Sequence, residues 1–244
     1  MISQRKITAI SLFLSLLTLV ATNIFAAGIV THVSGPLAAV NSAGVSRAIA
    51  IGSKVAEGDT VITEKRTYAR LKFDDGGEVT LKPGSQFRID KYNFDQKNPQ
   101  KDSATFNLVK GGLRTITGQI GKRGNKESYE MKTPTATIGI RGTIYDAHFC
   151  QGSSCGNIPP GLYVAVTNGT VVVTNFEGNR VSLPVMQGQF VYVQSTVSPP
   201  VILPSRPDIQ FNPPPSVGSS PSTPPSGTGG QSGPAPGGSD CLVR

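Results

Sequence analysis

Residues 133–145 read TPTATIGIRGTIY. Ala136, Ile138 and Ile140 alternate with Thr135, Thr137 and Gly139, the period-two pattern of a strand with two unlike faces. β-branched residues fill most of the run, and their stiff side chains suit a pleated surface. Pro134 stands near the start, where a strand tolerates a missing N–H. Gly139 and Gly142 point to close backbone approach or a bend. Arg141 is the one charge, set between the two glycines. A segment this strict in shape, holding one buried-looking cation, belongs to a β scaffold.

Working outward, residues 28–196 read as strand after strand. Residues 68–73 alternate, with Tyr68, Arg70 and Lys72 on one side and Ala69, Leu71 and Phe73 on the other. Asp74-Asp75-Gly76-Gly77 follows, and its residues accept positive φ, so a hairpin to residues 78–81 is expected. Gly111-Gly112 reads as a break between strands. Asn168-Gly169 reads as a two-residue hairpin turn. Nowhere does a useful length of sequence carry apolar residues at helical spacing. Short strands with frequent glycine turns leave a sandwich, a barrel or an irregular solenoid open.

The ends differ from this middle. Residues 1–26 place Arg5 and Lys6 before an apolar stretch that closes on Ala26 and Ala27, the layout of a cleaved secretory signal peptide. The rival reading is an uncleaved membrane anchor, but the stretch is short for a bilayer span and Thr22 and Asn23 interrupt it. Residues 27–196 form the expected domain. Residues 197–244 are rich in Pro, Gly and Ser, bury too little apolar area to offset their ordering entropy, and read as a disordered tail. Residues 201–203 and 209–211 are its apolar exceptions. With 23 Lys and Arg against 15 Asp and Glu the chain is basic. The cations are spread along strands and turns, a pattern that serves solubility and permits attraction to anionic surfaces.

The order GDTVIT (58–63), ARLKFDDG (69–76), VTLKPGS (79–85) and TPTATIGIRGTIY resembles the FecR domain family. The later GLYVAVTNGTVVVTN and GQFVYV resemble the closing strands of stand-alone members. The resemblance implies an exported, all-β, irregular solenoid-like stack of short strands and hairpins that works by binding, with a β-sandwich as the alternative. Regulators of iron-uptake signalling in this family carry a cytoplasmic sigma-binding segment. Only residues 1–6 precede the apolar stretch here, so the sequence is read as lacking that segment.

Candidate sites are few. His148, Cys150 and Cys155 are zinc-type residues, but an oxidising compartment favours a local Cys150–Cys155 disulfide over a metal, and no cofactor is expected. Cys241 is left over. Asp74, Asp75 and Glu78 fit no EF-hand spacing and read as a solvated hairpin tip. Asp59 is the expected carboxylate partner of a buried Arg141, since a cation within a β layer needs one. Asp59, Arg141, Gly142 and Thr143 thus form the structural set. Lys122, Arg123 and Lys126 make the densest basic cluster and are candidate contacts for an anionic partner. Interleaved aromatics are missing, which argues against nucleic acid. No serine lies in a nucleophile-elbow arrangement. The sequence therefore points to a non-catalytic envelope module binding a protein or surface polymer. A periplasmic adaptor in iron-uptake-type signalling and a small hydrolase with an unrecognised site are the alternatives.

Overall fold

Three long strands set the architecture, and each changes its buried phase at a glycine. The computed structural model describes residues 26–123, 125, 127–152, 154–207, 209 and 211–218. The expected signal peptide, Lys126, Cys241 and the tail beyond residue 218 lie outside the described residues.

The elements in chain order are β1 (Ala26–Val33), β2 (Leu37–Val40), β3 (Ser46–Ala48), β4 (Lys54–Ala56), β5 (Thr60–Thr63), β6 (Ala69–Phe73), β7 (Glu78–Leu81) and β8 (Gln86–Asn93). A 3-10 turn at Pro99–Lys101 precedes β9 (Ser103–Ile116), β10 (Tyr129–Lys132), β11 (Ala136–Cys150), β12 (Gly161–Asn175), β13 (Ser182–Met186), β14 (Phe190–Val193) and β15 (Val201–Leu203). A single helical turn, α1 (Pro215–Gly218), follows. Among the described residues the protein is nearly all-β, as expected, with fifteen strands joined in one open sheet. No helix among the described residues is long and apolar enough to cross a membrane.

The sheet folds over at left-handed glycines in two places: at Gly142 and Gly169, and, at the other end of the β9–β11 ladder, at Gly111 opposite Phe149. In β11 the even positions Ala136, Ile138 and Ile140 are buried before the bend, and the odd positions Thr143, Tyr145 and Ala147 after it. Gly142, at φ 60°, supplies the extra residue, and the register with β12 shifts there. Such a bulge moves the following side chains to the opposite face. Opposite it in β12 stands Gly169, at φ 79°. Asn168-Gly169 is therefore not a hairpin turn: the dipeptide takes its left-handed conformation inside a continuous strand. Gly111, at φ 81°, does the same in β9, so Gly111-Gly112 bends that strand without ending it.

Each long strand thereby serves two arms. The first half of β9 pairs with β8 and, in parallel, with β10, while its second half pairs with β7 and β11. The first half of β11 pairs with β10 and the second half of β12; its own second half pairs with β9 and the first half of β12. Beyond them, β5, β2 and β3 extend one arm, and β6, β1 and β4 the other. The arms face each other across one core. Phe73 of β6 packs on Phe87 and Phe106 of the other arm, with ring centroids 6.5 and 4.9 Å apart. Tyr129 of β10 shares a 3.2 Å hydrogen bond with Tyr145 of β11. Lacking Trp, the core rests on Leu71, Leu81, Phe87, Leu108, Leu113, Ile138 and their neighbours.

Two other expectations are corrected here. Thr133, Pro134 and Thr135 do not begin the strand. Thr133 Oγ1 accepts from the amide of Ala136 and donates to its carbonyl, closing the turn that joins β10 to β11. The chain also stays bound past the boundary expected at residue 197, because β15 adds to β14 and Val217 is fully buried. The hairpin of β6 and β7 forms as read, with Lys72 opposite Glu78.

A Cβ added at Gly169 would lie 2.6 Å from the carbonyl oxygen of Gly142, on a backbone that already disfavours side chains. Gly169→Ala is expected to cost roughly 2–4 kcal/mol, read as a lowered urea midpoint at unchanged slope. Gly139 has neither positive φ nor a close neighbour, its nearest atom being 3.9 Å away. Gly139→Ala is expected to change stability by less than about 0.5 kcal/mol.

Candidate functional site

The loop between β9 and β10 would be free to wander were it not tied at three places. The first tie is Asp75. Its side chain accepts from the amides of Gly77 at 3.0 Å and Ile120 at 3.2 Å, and its carbonyl accepts from Gln119. The Tyr92 hydroxyl donates to the same carboxylate at 3.2 Å. Asp75 is only 6% exposed, so it is a buried anchor and not part of a solvated tip. Asp74 beside it is the exposed member of the pair. Gly118 exists to let this contact form, since a Cβ there would meet Gly77 N at 2.4 Å.

Arg123 makes the second tie. It donates to Asp102 at 3.1 Å and to the carbonyls of Gln96 and Asp95, and its guanidinium lies 4.7 Å from the centre of the Phe94 ring. That web of internal partners makes Arg123 a structural residue, in place of the contact for an outside anion expected from the sequence. The third tie is the β11 bulge. Gly142 N donates to Gly121 O at 3.1 Å, and Thr143 N to Thr117 Oγ1 at 2.8 Å. Both bonds fasten the loop to the backbone of β11.

Between the loop and the bulge lies a cleft of ≈ 410 Å³. Lys122, Asn125 and Arg141 are exposed at its rim, and buried Tyr129 and Ile140 form its floor. A second cleft, ≈ 660 Å³, opens on the other side of Arg141 and is bounded by Glu127, Glu130, Thr174 and Arg180. Arg141 lines both and stands on the ridge between them. It faces outward because it continues the odd phase of Thr137 and Gly139, and the bulge at Gly142 follows it.

Arg141 and Asp59 do not meet. Asp59 is buried, as expected of a structural carboxylate, but its partner is Arg47, which donates to both carboxylate oxygens at 2.8 and 2.5 Å. The amide of Ala56 donates to it as well, at 2.9 Å. Nothing in the spacing of Arg47 and Asp59 marks them as partners; the antiparallel ladder of β2 with β3 and β5 brings them together.

Cys150 and Cys155 form a disulfide with Cα atoms 5.6 Å apart. Their sulfurs lie near a ring nitrogen of His148, within 4.8 Å, but a disulfide withholds the thiolates a metal would need. The ring of His148 instead faces Lys82, whose Nζ is 3.2 Å from Nδ1. Desolvation, and then the charge of Lys82, push the His148 pKa down to about 3. Burial likewise lowers Lys82. It raises Tyr129, at the cleft floor, well above its ordinary value and takes its buried partner Tyr145 up to about 12, so both phenols stay neutral.

Residues 59–172 match the family model described as FecR protein. No curated protein matches the chain. Two crystal structures of a candidate anti-sigma factor from Parabacteroides distasonis ATCC 8503, at 1.65 and 2.50 Å resolution, align with TM-scores of 0.44. They are 13% and 14% identical to this chain, and each alignment covers 59% of it and 58% of theirs. The chain thus spans less than two thirds of the length of these structures.

Arg141→Met should leave stability within about 0.5 kcal/mol, since an exposed side chain is removed. Asp75→Asn should cost about 1–3 kcal/mol, because an amide offers one acceptor oxygen where the buried N–H groups need two. Both are read from denaturant midpoints. His148 gives a pH signature. Its folded pKa lies below the unfolded value of 6.5, so the unfolded chain takes up the proton first and stability falls as pH drops from 6.5 toward 3. Within that window wild type should lose up to about 1.4 kcal/mol per pH unit relative to His148→Gln, with no difference above pH 7.

Proposed function

We propose that this chain, which carries a FecR domain over residues 59–172, is an exported, non-catalytic binding module of the cell envelope. It presents the ridge of Arg141 and Lys122 to an anionic partner, a surface polymer or an acidic protein segment. The observation that carries the reading is the double cleft itself. A loop tied at Asp75, Arg123 and Gly142 holds two cations at the rim of an open cavity, and preorganised charge gives specificity at low ordering cost. Lys126, outside the described residues, belongs to the same loop in sequence and adds to its positive charge. Export to the periplasm or the exterior is supported by the signal-peptide layout of residues 1–26 and by the Cys150–Cys155 bridge, a bond that persists in oxidising compartments. After cleavage the chain is proposed to have no stable membrane span, no cofactor and no nucleic-acid partner.

A second reading makes the module an adaptor in envelope signal transduction of the iron-uptake type. The FecR match favours it, and the two readings share the same outward face.

The test uses the full chain and short-chain polyphosphate or a sulfated polysaccharide as probe, by calorimetric titration. Each interfacial cation contributes on the order of 1 kcal/mol, so Lys122→Ala/Arg141→Ala should weaken binding roughly tenfold to a hundredfold. Lys65→Ala/Lys97→Ala removes the same net charge elsewhere and should weaken it less than about threefold. Equal losses in both double variants would mean that the attraction is general and the cleft is not the site.

A further inference from the structure

One face of the arm that carries β6, β7, β9, β11 and β12 points away from the core, yet it is covered. Across it runs a row of residues in register: Arg70 opposite Thr80, Thr80 opposite Arg114, Arg114 opposite Asp146, and Asp146 opposite Ala165. A face meant for a hydrophobic core would show apolar residues here. This row shows charges, and they pair among themselves. Arg114 grips Asp146 with two hydrogen bonds of 2.6 and 2.9 Å, and Arg70 lies 3.7 Å from Glu78.

The cover is part of the chain's own C-terminal segment: of residues 206–217, the described ones, 206, 207, 209 and 211–217, run along this row. Arg206 reaches Asp146 at 3.4 Å. The Phe211 ring lies 4.3 Å from the Arg114 guanidinium and meets Tyr68 edge-on at 6.4 Å. Near the far end, the Val217 carbonyl accepts from the buried Arg70 guanidinium. An ion pair, a ring stacked on a cation and a carbonyl held by an arginine are the contacts of peptide recognition. The segment reads RPDIQFNPPPSV; Pro207, Pro213 and Pro214 restrict its backbone ahead of the helical turn that begins at Pro215, which lowers the entropic cost of docking. Because Arg114 and Arg70 have carboxylate partners within the sheet, the row stays electrostatically satisfied when the cover lifts.

We infer that the row from Arg70 to Asp146 is a recognition groove for extended, proline-flanked peptides bearing one phenylalanine, and that residues 206–217 fill it in cis. The partner it fits is a segment of that chemistry in another protein. The tether gives the resident segment an effective concentration on the order of millimolar, so a free peptide competes poorly until the strap is weakened.

The probe is a fluorescent peptide of residues 204–218, titrated by anisotropy into full-length chains. Wild type should show weak binding. Arg206→Ala/Phe211→Ala should bind roughly tenfold tighter or better, since its own strap holds less well. Adding Arg114→Ala to that variant, or replacing the phenylalanine of the peptide with alanine, should return binding to the wild-type level. The groove reading is overturned if the peptide binds the folded double variant no better than wild type. Should the double variant unfold, Phe211→Ala alone is titrated in the same way. If that chain also unfolds, the strap is part of the core and the inference fails.

Discussion

Three left-handed glycines carry the fold. Gly111, Gly142 and Gly169 each sit in the middle of a long strand, and two of them touch, with Gly142 O lying where a Cβ on Gly169 would intrude. At these bends the strands leave one arm of the sheet and enter the other, β11 and β12 together at one end and β9 at the opposite end of the ladder it shares with β11. Without the bends, the alternation in these strands would bury one set of side chains and expose the next along a flat ribbon. With them, apolar residues on both sides of each bend face one interior. The aromatic contacts from Phe73 to Phe87 and Phe106 are the consequence, since the two arms meet only because the strands fold over.

The same constraint places the candidate site. Arg141 is the last outward residue of the first half of β11, set immediately before the bulge at Gly142. The bulge then offers Gly142 N to the loop, and Asp75 and Arg123 fix the remainder of that loop from below. A shape-determining stretch and a charge-presenting stretch are therefore one and the same. That coincidence is what makes a binding role for the ridge economical: its geometry is set by the core and not by a separate set of interactions.

Much of the scaffold was legible in the sequence. The alternation in residues 136–140, the hairpin at Asp74-Asp75-Gly76-Gly77 and the Cys150–Cys155 pairing all follow from local chemistry, and local chemistry survives folding. What failed were inferences that needed the partner strand. Asn168-Gly169 announces a left-handed backbone, but whether that makes a turn or a bulge depends on Gly142 across the ladder. Arg141 looked buried because its neighbours are apolar, although the alternation of Ala136, Ile138 and Ile140 already sets residue 141 on the opposite face. Asp59 is buried, but the arginine that reaches it, through the ladder, is Arg47 and not Arg141. Asp75 looked like a solvated tip because its main acceptor task, the Ile120 amide, lies forty-five residues downstream. In the tail, Ile209 and Phe211 stood out as apolar exceptions, and Phe211 is the residue that docks on Arg114.

Native-state hydrogen exchange tests the central claim most directly, namely that the glycine bends join two arms into one cooperative unit. Amides of Leu71 and Val79 report one arm, and those of Phe87 and Ile89 the other. The account predicts that both sets exchange through a single global opening, with the same free energy and the same denaturant dependence. Two distinct opening energies, one for each arm, would contradict it.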